Sequence, residues 1–202
     1  MKKRPFKAVS ISRSSRGNEA HTLKKLEPPQ VGGHGFEKGS IELLIATNAG
    51  QFIARYSEKG LAELDFPSRE ALVAPKRSEG GPVPAPIRRW HRATAAALKN
   101  VVAGRSPGKL PPLDLSSGTE FQRKVWKALQ KIARGRTKSY GEIARAIGNP
   151  KAVRAVGGAC GANPIPVLVP CHRVLAANGK IGGFSGGLNR KRELLAREGI
   201  KI

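Results

Sequence analysis

The 202-residue chain is short of cysteine, with two, of aromatic residues, at 5%, and of acids, with 14 Asp and Glu against 37 Lys and Arg. Cys160 and Cys171 can form one bridge at most, which excludes a small disulfide-stapled secreted domain and fits a reducing compartment. No run approaches the roughly 18 consecutive apolar residues of a membrane span. The basic N-terminus continues into polar residues where a signal peptide needs apolar ones, so neither a membrane partner nor export is expected. No cysteine precedes residue 160, and His21, His34 and His91 have no ligand spacing, so the expectation is no metal and no cofactor. A hydrophobic fraction of 39% suffices for a core only if some segments stay outside it.

The positive charge is unevenly placed. Residues 1–40 carry a net +6, residues 41–87 a net −1, and residues 88–202 a net +18 with only five acids. A solubilising surface mixes both signs, so this distribution points to a polyanionic partner for the second half, nucleic acid above all.

Residues 1–40 lack hydrophobic periodicity and read as a flexible basic tail. Alternation predicts strands over Ile41–Thr47, Gln51–Tyr56 and Leu61–Phe66, the first turn lying at Asn48–Ala49–Gly50. Pro67–Pro86 reads as a loop or linker. From Ile87 the period is helical, with Ile87, Trp90, Thr94, Ala97, Leu98 and Val101 on one face, and Gly104–Pro112 ends that helix. Ser117 and Glu120 have capping-box spacing before a second helix with Phe121, Val125, Ala128, Leu129 and Ile132 on its apolar face. Ser139 and Glu142 repeat the spacing before a short helix that stops at Gly148. Asn149 and Pro150 then offer an N-cap and first position for a helix ending near Gly161, and the pair reads as a helix-turn-helix. The expected fold class is α+β: a basic tail (1–40), a small N-terminal sheet domain with a helix and linker (41–110), and a mostly helical DNA-binding domain (111–202).

In the last of these helices Val153 and Val156 are expected to pack inward, while Lys151, Arg154, Ala155 and Gly158 fall elsewhere. A major-groove reader needs several long polar side chains, and Arg154 is the only one near the middle. Small residues around one inserted side chain suit the minor groove better. The alternative is an Ala/Gly-rich helix packed tightly on a neighbour, with Arg154 merely solvated.

The chemical centre is the run Ile165-Pro166-Val167-Leu168-Val169-Pro170-Cys171-His172-Arg173-Val174. It reads as a short apolar strand delivering Cys171 between a proline that restricts the backbone and a histidine able to act as base. A thiolate is a soft, reactive nucleophile, and a nearby imidazole can take the thiol proton. Glu198, near the end of a basic C-terminal helix, is the candidate carboxylate to orient His172. The competing reading is an inert buried cysteine.

Several motifs in order carry a resemblance: Ser139-Tyr140-Gly141, Asn149-Pro150-Lys151-Ala152-Val153-Arg154-Ala155-Val156-Gly157, Asn163-Pro164, Pro170-Cys171-His172-Arg173-Val174, Ser185-Gly186-Gly187 and Leu194-Leu195-Ala196-Arg197-Glu198-Gly199. The stretch from Gly135 to Ile200 resembles the DNA-binding and active-site domain of the O6-alkylguanine-DNA alkyltransferases, the methylated-DNA-protein-cysteine S-methyltransferases. The resemblance implies an RNase H-like N-terminal domain and a suicide DNA repair reaction. Cys171 would take the alkyl group from guanine O6 as a stable thioether. His172 would accept the thiol proton through a water, with Glu198 supporting it and Asn163 holding the segment. Tyr140 would donate to guanine N3, the backbone of Cys171 and Val174 would read the exocyclic amine, and Ser185 would contact O6, with Pro166 and Phe184 also lining the base site. Arg154 would fill the space left by the flipped base, with Lys151, Ala155, Gly157 and Tyr140 also against the DNA.

The implied partner is double-stranded DNA carrying O6-alkylguanine, with O4-alkylthymine as a further candidate lesion, bound by a monomer in a bacterial or archaeal cytoplasm and associated with the nucleoid. The chain departs from the family pattern in having Phe184 where some members carry tyrosine, in Cys160, read as a packing residue, and in lacking the zinc ligands of some members. The alternative function is a non-catalytic alkylated-base-binding protein that recruits repair factors; such relatives lack the acceptor cysteine, which is present here.

Overall fold

The computed structural model describes residues 40–67 and 82–202. The expected basic tail, most of the expected linker, and His21 and His34 lie outside them.

Strands β1 (Ile41–Thr47), β2 (Gly50–Ser57) and β3 (Gly60–Asp65) form an antiparallel meander in the order β1-β2-β3. Alternation along β2 puts Phe52, Ala54 and Tyr56 in the core. Leu61 and Leu64 of β3 are both buried although three residues apart, because the β2–β3 register shifts beside Arg55 and skips Ala62, restoring both leucines to one face. On the other face Arg55 pairs with Glu42 (2.8 Å), Glu63 (2.8 Å) and Asp65 (2.5 Å) on the neighbouring strands.

Helix α1 (Ala85–Val102) lays Ile87, Thr94, Ala97, Leu98, Val101 and Val102 against the core. Of the face expected from the sequence only Trp90 stays half-buried. After α1 the chain returns along β3, where Leu61 N–H donates to Pro112 O (2.9 Å) and Asp114 N–H to Leu61 O (2.8 Å). Gly60 permits this approach, because a Cβ there would sit 2.2 Å from Pro112 O. The outer edge of β3 also reaches the second half of the chain, Leu64 N–H donating to Pro164 O (2.9 Å). The edge is thereby covered.

Helix α2 (Glu120–Leu129) is capped by Thr119 and Gln122, not by the expected Ser117 and Glu120. Both pairs have the same spacing. Gly118, just before the cap, lies against the Trp126 ring, where a Cβ would be 2.2 Å away. Ser139 and Glu142 form the expected capping box of α3 (Tyr140–Ala146), just after the two-residue strand β4 (Lys138–Ser139). Helix α4 (Val153–Gly161) begins three residues later than expected: Asn149 does not cap it, and Ala152 N–H donates to Asn149 O (3.0 Å) in a preceding turn. Trp126 Nε1 donates to Ala159 O (2.8 Å), pinning α4 to α2. A 3-10 turn (Cys171–Arg173), strand β5 (Val174–Leu175), parallel to β4, and helix α5 (Leu188–Arg197) complete an α+β fold.

Candidate active site

The expected strand before Cys171 is a buried, tightly folded loop. Val167 has φ 75°, a left-handed conformation unfavourable for a β-branched residue, and Val169 N–H donates back to Ile165 O (2.9 Å). Asn163 holds this loop shut. Its Oδ1 accepts from Ile165 N–H (3.1 Å), and its Nδ2 donates to Val169 O (2.8 Å) and to Cys171 Sγ (3.1 Å). Cys171 is 4% exposed, and burial pushes its thiol up to about 11 against the Asn163 hydrogen bond, so the resting group is a neutral thiol.

His172 is wholly buried beside it. Its Nε2 lies 3.0 Å from Glu198 Oε1, at the C-cap of α5. Glu198 receives four N–H donors: His172 Nε2, Arg173 Nε and Nη2 (2.9–3.1 Å), and the Gly135 backbone (3.2 Å). Burial alone would raise its carboxyl; the hydrogen bonds from His172 and Arg173 outweigh that and hold it at about 2. An ionised Glu198 can only accept, so Nε2 carries the proton and Nδ1 keeps its lone pair. Among the described residues Nδ1 has no hydrogen-bond partner. Burial, partly offset by Glu198, lowers the His172 pKa and keeps the ring neutral. The arrangement is a thiol beside a neutral imidazole whose far side is anchored to a carboxylate, which equips it for nucleophilic chemistry.

Two contributors carried no role in the sequence reading. Arg173 grips Glu198 and donates through Nη1 to Ile132 O (2.7 Å), fastening the Cys171–Arg173 turn to the segment after α2. Lys191 is wholly buried and donates to Val174 O (2.6 Å) and Gly183 O (3.1 Å). Its signal is a lysine three residues before Leu194, on the face of α5 that Leu194 and Leu195 turn to the core.

The loop of residues 182–187 forms the outer wall. Tyr140 Oη donates weakly to Gly183 O (3.5 Å), and a Cβ on Gly182 would lie 3.1 Å from the Tyr140 ring. Burial raises the Tyr140 pKa. Phe184 is half-buried and meets His172 edge-on at 6.4 Å, Ser185 is exposed, and Pro166 and Val174 are buried. Cys160 is buried near the end of α4, which pushes its thiol up to about 12. On α4 and the turn before it Lys151, Arg154 and Ala155 are exposed and Gly157 half-buried. Val153, expected inward, is 43% exposed, because the helix starts at that residue and turns Val156, Ala159 and Cys160 to the core. Among the described residues no helix is long and apolar enough to cross a membrane, and no three His, Cys, Asp or Glu side chains are grouped to hold a metal ion.

Residues 120–200 match the family model for the 6-O-methylguanine DNA methyltransferase, DNA binding domain. A methylated-DNA--protein-cysteine methyltransferase of Mycolicibacterium paratuberculosis is 54% identical over 110 residues, covering 53% of this chain and 66% of the relative. The matches to several such relatives span about half to two thirds of their length. One from Methanosarcina barkeri is 40% identical over 161 residues, covering 77% of this chain and 94% of the relative. The crystal structure of Mycobacterium tuberculosis OGT in complex with DNA superposes with a TM-score of 0.63 at 41% identity, over 77% of this chain and 90% of that one. With its cysteine, histidine and glutamate gathered on this fold, the chain belongs to the methylated-DNA--protein-cysteine methyltransferase family.

Proposed function

We propose that the protein repairs O6-alkylguanine in duplex DNA by moving the alkyl group irreversibly to Cys171, once per molecule. The observation that carries this reading is the ordered relay from Cys171 to Glu198: a thiol held by Asn163, a neutral imidazole with its Nδ1 lone pair unused, and an ionised carboxylate fixing the opposite nitrogen. Sγ attacks the carbon attached to O6, the S–C bond forms as the C–O bond breaks, and the thiol proton passes to His172 Nδ1 through a water. Glu198 stabilises the imidazolium that results. Tyr140 donates to N3 of the departing guanine and offsets its growing negative charge. Nothing in the relay can cleave a thioether, so the protein is consumed.

The base must leave the stack to meet a buried thiol, and Arg154, exposed among small residues on α4, takes its place from the minor groove. Lys151, Ala155 and Gly157 line that approach. Val174, Ser185, Pro166 and Phe184 receive the base. Lys191 already donates to Val174 O, whose second lone pair remains for the exocyclic amine. In this division residues 111–202 carry recognition and chemistry, and residues 41–110 support them.

The test is intact-protein mass after incubation with duplex DNA containing O6-methylguanine. The expected result is one methyl group gained per molecule, mapped to Cys171. Tight binding of the lesion with no mass change would establish a lesion-binding protein instead.

A further inference from the structure

Four rings run in sequence from the core of the sheet to His172. Phe52 on β2 meets Phe66 at 5.8 Å between centroids, Phe66 meets Phe184 at 5.6 Å and 71°, and Phe184 meets His172 at 6.4 Å and 80°. Phe66 follows β3, so it belongs to the half of the chain to which no chemistry has been assigned. Its position is fixed from several sides. Leu64, two residues earlier, is bonded to Pro164 beside Asn163; Arg190 of α5 lies 5.1 Å over its ring and donates to Pro67 O (2.6 Å). Phe52 behind it is only 3% exposed. In front, the loop touches both rings: a Cβ on Gly186 would lie 2.6 Å from Phe66 and 2.9 Å from Phe184.

Phe184 is therefore held between His172 and a ring that is itself backed by the core. We infer that Phe66 determines alkyl-group specificity: it fixes how far Phe184 can retract from Cys171, and so how large a group reaches the thiol. This rests on the alkyl-transfer reading above. A close-packed wall yields only into empty space behind it, and Phe66 fills that space. A methyl group asks nothing of the wall. A benzyl group requires Phe184 to move, which a smaller residue at position 66 would permit.

The test compares single-turnover rates of the full chain on duplexes identical except for O6-methylguanine or O6-benzylguanine, so that DNA binding cancels in the ratio. Phe66→Ala should raise the benzyl-to-methyl ratio by about tenfold, the scale on which apolar pockets discriminate by size, and Phe66→Leu by less. The leucine variant keeps most of the buried volume and gives the answer if the alanine variant does not fold. In a Phe184→Leu background Phe66→Ala should leave the ratio unchanged, which a general loss of packing would not produce. A ratio that stays at the wild-type value or falls in the Phe66 variants overturns the inference. Wild type that accepts neither group overturns the alkyl-transfer reading itself.

Discussion

The guanidinium of Arg173 holds both carboxylate oxygens of Glu198, while Oε1 of that carboxylate also accepts the hydrogen bond from His172 Nε2–H. With side chains 8% and 2% exposed, neither charge is compensated by water. Removing Arg173 leaves the buried Glu198 carboxylate without a counter-charge, with only the neutral His172 and Gly135 N–H donors, so Arg173→Ala should cost about 3–5 kcal/mol of unfolding free energy. Urea unfolding checks this. A loss within the range of an exposed ion pair, below about 1 kcal/mol, would mean that solvent reaches the pair.

Glu198→Gln keeps the shape of the side chain and removes its charge. If transfer runs through the proposed relay, the imidazolium it forms loses its support, and the transfer rate from pre-bound DNA should fall by about a hundredfold. DNA affinity should change little, since Glu198 is buried and its cationic partner among the described residues, Arg173, is buried as well. Equal losses in binding and transfer would make Glu198 structural only.

Burial holds the His172 pKa below its ordinary 6.5, and only the neutral ring can accept the thiol proton. Transfer should therefore persist below pH 6.5 and fall only as the ring is finally protonated. Stability carries the same sign. The folded state takes a proton on His172 less readily than the unfolded chain, so stability begins to decline as pH falls through 6.5. Glu198, held at about 2 against an ordinary 4.5, adds stability that is complete above 4.5 and lost as pH falls towards 2. Urea midpoints measured down this range should decrease throughout, and Glu198→Gln should flatten the lower part. A midpoint that rises on acidification would contradict the assigned charge states.

Arg154 is exposed on α4 and makes no ion pair among the described residues. If its task is to replace an extruded base, Arg154→Ala should slow repair of duplex DNA and spare reaction with free O6-benzylguanine, which needs no extrusion. Parallel losses on both substrates would assign Arg154 to the pocket instead.

The elements legible in the sequence are those whose signal is local. The meander followed from alternation, α1 from its apolar face, and the start of α3 from the Ser139–Glu142 capping box. The cap of α2 is not legible because Ser117–Glu120 and Thr119–Gln122 share one spacing, and nothing local in the sequence chooses between them. The segment before Cys171 looked like a strand because its apolar residues are buried, but the left-handed Val167 and the bonds from Asn163 that sustain it are tertiary. The pairing of His172 with Glu198 was anticipated from chemistry and motif order. Arg173 and Lys191 escaped because a basic residue in so basic a chain is unremarkable until its burial is known.

The most direct measurement of the central claim is the time course of methyl transfer with excess O6-methylguanine duplex, for wild type and Cys171→Ser. Wild type should release one equivalent of repaired DNA per active molecule and stop. The serine variant keeps a hydrogen-bonding side chain of similar size but a hydroxyl scarcely ionised near neutral pH, so it should bind the same duplex with the same salt dependence and transfer nothing. Sustained turnover by wild type, or a burst that survives in Cys171→Ser, would show that Cys171 is not the acceptor.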